Sequence, residues 1–370
     1  MNLVEVRNKR QLRQFITFPE KLYKDCPNWV APLRFDERNV LSPKNPAFEF
    51  CEAVYYLAIN EKNEVLGRIA GIINHRANKD WDEKTARFGW IDFIEDIDVL
   101  RLLIDGVANW AKEKGMKNLK GPLGFTDMDK EGMLVEGFEH LTPITCIYNY
   151  PYYGTMLEQL GFHKDVDWTQ RLLIVPKETP SIFEYADLVT KRFGVKLFEP
   201  KSNRELKSKG RELFEVLNDS FLPLYEFTKL TDRQIDCYLD EYLPFVDKDY
   251  TCMVLNEHDE VVGFIICIPD LSKAFKKAKG KILPFGFAHI LHDLHHCNTL
   301  EALMIGTLPE YQGKGASLLL LKHIIESCHK HGITTVRMNP QLEENNKVQS
   351  LFDQFEVKPF LRRRSYTITL

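Results

Sequence analysis

Residues 303–321 read LMIGTLPEYQGKGASLLLL, an apolar strand, a turn carrying Gly313 and Gly315, and an apolar helix that begins at once. A strand passing through a glycine-rich turn into a helix aims several backbone N–H groups at one locus, and the helix dipole adds positive potential there. Such a turn suits a phosphate or diphosphate. Lys314 adds charge within it, though a flexible lysine contributes less than preorganised amides. Upstream, residues 300–307 form the strand. Downstream, Leu318, Leu321, Ile325 and Cys328 line the buried face of the helix, and Gly332 follows its last turn.

Working outward from this stretch, the chain repeats itself. Residues 58–72 (AINEKNEVLGRIAGI) align with residues 254–268 (VLNEHDEVVGFIICI) at an offset of 196, and residues 156–162 (MLEQLGF) align with 351–357 (LFDQFEV) at an offset of 195. The first pair reads as two β-hairpins, with β-branched flanks as strands and the polar N-E-x-[ND]-E cluster as turn. In the first half, residues 88–95 read as a strand, and Leu100, Leu103, Ile104, Val107 and Ala111 form a helical stripe closed by Gly115. Each half is expected to run β, α, α, β, β, β, α, β, α, β, an α/β (α+β) arrangement in which helices flank a mixed twisted sheet. The join falls near PKETP at 176–180, followed by a helix over 181–193 and a strand over 195–199. The expected domains are therefore 1–176 and 177–370.

Composition limits what these domains do. A chain of 370 residues exceeds one ordinary core and suits two. With 44% hydrophobic and 28% charged residues it is globular, and a net charge of −4 gives no global reason to seek nucleic acid or an anionic membrane. The eight cysteines contain no Cys-x-x-Cys pair, which argues against a zinc knuckle or redox dithiol and for reduced core residues. The opening MNLVEVRNKRQL lacks an apolar leader core, and the longest apolar run, residues 261–269, is far short of the ~20 residues a span needs. A cytoplasmic location is expected.

The turn P-E-Y-Q-G-K-G-A resembles the acetyl-CoA diphosphate loop of the GNAT acyltransferase superfamily, whose Q/R-x-x-G-x-G/A signature is matched by Gln312 and Gly315, with Ser317 in the last position. A second element, Asn345-x-x-Val348-x-x-Leu351-Phe352, is similar to the helix that follows the splayed strand in that family. The resemblance implies two tandem GNAT-like domains and an acyl-CoA donor, acetyl-CoA foremost, with no metal. It implies that Gln312, Gly313, Lys314, Gly315, Ala316 and Ser317 hold the donor together with Ile305, Thr307 and Asn345. Phe352 stands where many relatives carry the tyrosine that protonates the leaving thiolate. Glu301 lies eleven residues before Gln312, where relatives that use a glutamate base place it; read alone, it is a solvated strand-end carboxylate. The first half has only the acidic IEDID junction after its strand at the corresponding place, so it is expected not to bind CoA and to form a wall of the acceptor pocket. It resembles the degenerate partner in tandem bacterial proteins of this kind, some of which are linked to acylation of long-chain amines in sphingolipid assembly.

Further candidates stand outside the loop. His289, His292, His295 and His296 fall at helical spacing, but without a Cys pair or an H-E-x-x-H glutamate they read as a surface helix, with His296 the candidate catalytic imidazole. Lys273, Lys276, Lys277, Lys279 and Lys281 precede Ile282, Leu283, Phe285 and Phe287, a combination that suits an anionic bilayer or an acyl carrier protein. Tyr148, Tyr150, Tyr152 and Tyr153 read as core or as the face of a cleft, and Tyr153 is the candidate substitute for the missing acid. Arg362, Arg363 and Arg364 lie in a final strand whose alternation separates neighbours. The expected reaction is transfer of an acyl group from acyl-CoA to the amine of a small molecule or lipid. The alternatives are a catalytically silent CoA-binding module and a long-chain lipid N-acyltransferase using acyl-CoA or acyl carrier protein.

Overall fold

The computed structural model describes residues 1–242, 246–281 and 286–370. The chain forms two compact units, the first made of Met1–Thr169, Leu271–Asp293 and Leu361–Leu370, the second of Gln170–Asp270 and Leu294–Phe360.

In the first unit the chain runs β1 (Asn2–Glu5), α1 (Lys9–Leu22), α2 (Arg34–Val40), β2 (Cys51–Ile59), β3 (Val65–Asn74), α3 (His75–Asp80), β4 (Thr85–Phe93), α4 (Ile97–Glu113), β5 (Asn118–Gly121), β6 (Met133–Glu136), α5 (Tyr152–Gln159) and the start of β7 (His163–Ile174). In the second it continues through α6 (Ala186–Phe193), β8 (Lys196–Phe198), α7 (Asn203–Phe221), α8 (Asp232–Tyr242), β9 (Thr251–Leu255) and β10 (Val261–Pro269). α9 (Ser272–Ala278) and most of α10 (Gly286–His296) belong again to the first unit; the second resumes with β11 (Thr299–Thr307), α11 (Ala316–His331), β12 (Thr335–Met338), β13 (Gln341–Leu342) and α12 (Asn346–Ser350), and β14 (Val357–Thr369) passes back to the first from Leu361.

The duplicated hairpins match atom for atom. Asn60 Oδ1 accepts from the amides of Lys62 and Glu64 (both 2.9 Å) while its Nδ2 donates to Glu64 Oε2 (2.7 Å). Asn256 accepts from His258 (2.9 Å) and Glu260 (3.0 Å) and donates to Glu260 Oε2 (2.8 Å). Asn63 and Asp259 sit at φ 60° and 63°, the left-handed conformation that short polar side chains tolerate. The repeated sequence is thus a side-chain-stapled turn, and it explains why Asn, Glu and the Asn/Asp position recur.

In each unit a parallel pair is bridged by a helix, β4–β5 by α4 and β11–β12 by α11. The last strand of each half pairs outside its own half of the sequence. β14 runs antiparallel to β5 (Tyr366 opposite Gly121), giving a first-unit order β1-β2-β3-β4-β5-β14. The end of β7 runs antiparallel to β12 (Leu173 opposite Val336), giving a second-unit order β7-β12-β11-β10-β9-β8. Alternation along β14 separates the three arginines. Arg362 and Arg364 lie on one face and share Asp167, whereas Arg363 is fully buried and donates to the Ile147 carbonyl at 2.5 Å.

Leu319, Leu320, Ile324, Ile325 and Cys328 of α11 pack onto Val254, Ile265 and Leu300 of the second sheet. Leu100, Leu103, Ile104 and Val107 of α4 do the same in the first unit against Ile69, Ile73 and Phe88. Cys51, Cys146, Cys252, Cys267 and Cys328 are buried, and burial raises the Cys267 and Cys328 thiols. No helix among the described residues is long and apolar enough to cross a membrane.

Candidate active site

The turn after β11 closes as Tyr311 N–H to Leu308 O (2.9 Å) and Lys314 N–H to Tyr311 O (3.2 Å), with Gly313 at φ 73° and Gly315 at φ 80°. Gly315 caps α11, and its carbonyl accepts from Leu318 (3.0 Å) and Leu319 (3.2 Å). The amides of Gly313, Gly315, Ala316 and Ser317 have no acceptor among the described residues. Four orphan donors at a helix N-terminus, in a turn where Gly313, Lys314 and Gln312 are exposed, make a cradle suited to an anion. Gly315 is required twice over, because of its φ and because a Cβ there would lie 2.4 Å from Val189 Cγ1 on α6. Gln312 turns inward, with Nε2 3.4 Å from the Thr307 carbonyl.

The first unit shows what the same helix start looks like without a cradle. Asp96 caps α4, its carboxylate accepting from the Asp98 amide at 2.9 Å, and Asp98 adds a second acid in the first turn. A carboxylate fills the place an anion would take and repels one arriving there.

Leading into the cradle, β11 pairs with β12 only from Thr299 to Ala302. Asn339 then ends the ladder, its amide reaching Ala302 O (3.1 Å) and its side chain Leu303 O (2.9 Å). The register against β10 shifts at the same point, leaving Leu303 bulged between Ala302 and Met304. From Met304 to Thr307 the strand pairs with β10 on one side, and no strand pairs with its other edge among the described residues. Ile305 and Thr307 lie on this stretch, half-buried and buried. An extended ligand carrying amide groups could pair with that free edge and lead from the cradle toward Glu301.

Glu301 is not the solvated carboxylate its strand-end position suggests. It is 3% exposed, and its Oε1 lies 3.2 Å from Arg337 Nη1, the residue beside it in the parallel register. The same Nη1 lies 3.2 Å from Asp270 Oδ1. Burial, joined by the neighbouring Asp270 charge and opposed by Arg337, pushes Glu301 up to about 7. Its folded value is above the ordinary 4.5, so the group favours the fold fully below that value and loses this contribution as pH rises through about 7. The swing is on the order of 2–3 kcal/mol. Glu301→Gln is accordingly expected to lose less stability than wild type between pH 5 and pH 8 in urea unfolding.

Tyr153 is fully buried in the core of the first unit, its hydroxyl 2.8 Å from Tyr23 Oη and accepting from the Phe93 amide at 3.0 Å. Of the two readings, core and cleft face, Tyr153 takes the first, enclosed by aromatic packing on Phe93 and Tyr152. Asn345 caps α12, accepting from Val348 N–H at 3.3 Å, and Phe352 is buried in the second core. His292 and His296 are exposed and His289 half-buried on α10, with His296 at its end three residues before β11; the His295 side chain lies outside the described residues. Among the described residues no three His, Cys, Asp or Glu side chains are grouped as metal ligands. The five lysines at 273–281 are exposed, and Lys276 Nζ donates to the Pro27 carbonyl. Phe287 is exposed, while Ile282, Leu283 and Phe285 lie outside the described residues. Sequence reading missed Asp270 and Arg337; an arginine inside the apolar strand TVRM, in parallel register with a glutamate on LEALMI, was the available signal.

The second unit therefore joins a twisted mixed sheet, through the splayed edge of β11, to a helix start whose amides can take an anion. Residues 211–356 match the acetyltransferase (GNAT) family. The chain is 27% identical over 370 residues to Protein YghO of Escherichia coli (strain K12), covering 97% of this chain and 93% of that protein. It is 28% identical over 300 residues to the bacterial ceramide synthase of Caulobacter vibrioides (strain NA1000 / CB15N), covering 79% and 76%. In fold it is similar to a tandem GNAT protein from the clavulanic acid biosynthesis pathway, with a TM-score of 0.55 at 12% identity, over 100% of this chain and 98% of that one. The second unit thus carries most of a stretch, residues 211–356, that matches the GNAT family, and the chain as a whole is similar in fold to a tandem GNAT protein.

Proposed function

We propose that the second unit takes an acyl-CoA at the Gln312, Gly313, Lys314, Gly315, Ala316 and Ser317 turn and transfers its acyl group to the primary amine of a long-chain, lipid-type acceptor. The four acceptorless amides support the donor site. The free edge of β11 at Ile305 and Thr307 suits the pantetheine amides, with Asn345 holding the start of α12 beside them. The similarity to a protein named bacterial ceramide synthase supports the acceptor class.

The chemistry asked of the chain is modest. An ammonium must lose a proton before its nitrogen attacks the thioester carbonyl, and Glu301, ionisable near neutrality, is the group proposed to accept it. As the C–N bond forms and the C–S bond breaks, the second nitrogen proton passes to the departing sulfur, so amide, thiol and one released proton balance the reaction. The β11 backbone at Leu303, released from the ladder by the bulge, is the donor proposed for the developing oxyanion.

Thiol release from palmitoyl-CoA and acetyl-CoA with a long-chain primary amine tests this reading. Faster turnover of palmitoyl-CoA is expected. Equal or better use of acetyl-CoA removes the lipid assignment, and CoA binding without thiol release from any amine identifies a silent module.

A further inference from the structure

The first unit holds a pocket of about 520 Å³ lined by Leu22 at the end of α1, Ile94 and Glu95 between β4 and α4, and Tyr150, Pro151 and Tyr152 at the start of α5. That volume is in the range of small-molecule sites. Its wall is aromatic: the Tyr150 and Tyr152 rings stack at 5.7 Å between centroids and 21° between planes. Both rings are fixed. Tyr150 Oη donates to the Leu22 carbonyl at 3.3 Å, Tyr152 Oη donates to the Phe93 carbonyl at 2.6 Å, and the two rings pack on Tyr23 and Phe93 respectively. With their protons held by carbonyls, the phenols offer a ligand lone pairs and the negative faces of their rings. Glu95 adds a carboxylate that is exposed at the pocket and makes no ion pair among the described residues. Burial raises both phenols most, and neighbouring acids, Glu95 and Asp92 at Tyr152 and Asp25 at Tyr150, raise them further. Such surroundings repel an anion and suit a cation.

We propose that this pocket binds an alkylammonium, its cation against the Tyr150 and Tyr152 rings and Glu95 and its apolar body along Leu22, Ile94 and Pro151. A cation is attracted to a ring face, and a carboxylate beside that face adds the counter-charge. Ile94 and Pro151 supply apolar surface without a competing donor: proline has no N–H, and the Ile94 amide is bonded to the Leu66 carbonyl at 3.0 Å. Ile94 and Glu95 lie in the junction between β4 and α4, the counterpart of the glycine turn between β11 and α11, since each junction opens the crossover of a parallel strand pair. In the second unit that position presents acceptorless amides; in the first, Asp96 caps the helix and Glu95 lines the pocket, so one position of the fold carries opposite polarity in the two units. The site is separate from the transfer reaction proposed above, and neither depends on the other.

Two measurements on the full chain test this. In isothermal titration, octylammonium is expected to bind about fivefold more tightly than 1-octanol, which has the body without the charge, and about tenfold or more above methylammonium, which has the charge without the body. Glu95→Gln, at an exposed position, is expected to weaken octylammonium by about three- to fivefold and to leave 1-octanol unchanged. In carbon NMR with ring-labelled tyrosine, the Tyr150 and Tyr152 resonances are identified by their loss in Tyr150→Leu and Tyr152→Phe. Both are expected to shift as octylammonium is added, which assigns the binding to this pocket rather than to an amine site of the second unit; octanoate is expected to shift neither. Tyr150 and Tyr152 resonances that stay put throughout the octylammonium titration overturn the proposal, as does an octylammonium affinity unchanged in folded Glu95→Gln. Thiol release from acyl-CoA is read separately, so failure here leaves the transfer reaction standing.

Discussion

Ser317→Glu is expected to lower CoA affinity by about 100-fold while leaving the second unit folded. Ser317 is the second residue of α11, half-buried, with its amide among the four that lack an acceptor. An acid in the first turn favours a helix by ~0.3–1 kcal/mol, so the substitution does not threaten α11 itself. It does place a negative charge where the diphosphate would sit. Like charges about 4 Å apart cost ~1 kcal/mol in water and ~4 kcal/mol at the effective dielectric of a protein surface, a span of roughly 5- to 1,000-fold with 100-fold near its centre. Gly315→Glu would also abolish binding, but for an uninformative reason: its side chain would collide with Val189 and require a strained φ, so the helix start would be dismantled. Gly313→Ala separates the effects, since its Cβ meets nothing within 4 Å and only the φ of 73° is strained. Isothermal titration with CoA at two salt concentrations checks the prediction. The Ser317→Glu deficit should shrink at high salt, because screening weakens repulsion. Affinity within fivefold of wild type in a folded Ser317→Glu would take the diphosphate away from this turn.

What could be read in the residues beforehand follows the range of the interactions involved. The hairpin turns were legible because the bonds that staple them run from Asn60 and Asn256 to residues two and four positions on, so the device lies within a few letters. The cradle was legible for the same reason, as one strand, one turn and one helix start. The exchange of β7 and β14 was not, because alternation tells which face a strand residue takes and nothing about which strand it pairs with. Arg362, Arg363 and Arg364 illustrate the limit: their separation onto two faces follows from the period, whereas convergence of the outer two on Asp167, 195 and 197 residues earlier, does not. Glu301 illustrates it again. Its spacing from Gln312 was visible, but its contacts with Arg337 on β12, and through it with Asp270 just after β10, were not.

Tyr153 carries the second large prediction, through the network it belongs to. Asp92 is expected to be among the most sensitive positions of the first unit, with Asp92→Ala costing about 3–5 kcal/mol. Its Oδ1 accepts from Tyr23 Oη at 2.8 Å, its Oδ2 lies 2.7 Å from Arg68 Nη2, and Arg68 Nη1 donates to the Phe15 carbonyl at 2.9 Å. Tyr23 in turn meets Tyr153, so α1, β3, β4 and α5 converge on one buried carboxylate. Burial raises Asp92 above the ordinary carboxyl range and Arg68 draws it back, the mark of a charge that needs its partner. Alanine there leaves Arg68 desolvated without a counter-ion and Tyr23 without its acceptor. Tyr153→Phe removes one neutral hydroxyl, costing about 1–2 kcal/mol, and leaves the ion pair intact. Denaturant unfolding gives both values, and CoA titration of the folded variants gives the contrast. Neither change touches the cradle, so CoA affinity should match wild type. A Tyr153→Phe variant with undiminished stability and a turnover reduced a hundredfold would reverse the assignment and return this hydroxyl to the chemistry. The fully buried position of Tyr153, with a backbone amide and a second phenol bonded to its oxygen, argues for the stability outcome, because a proton donor to a leaving thiolate must be able to exchange partners during turnover.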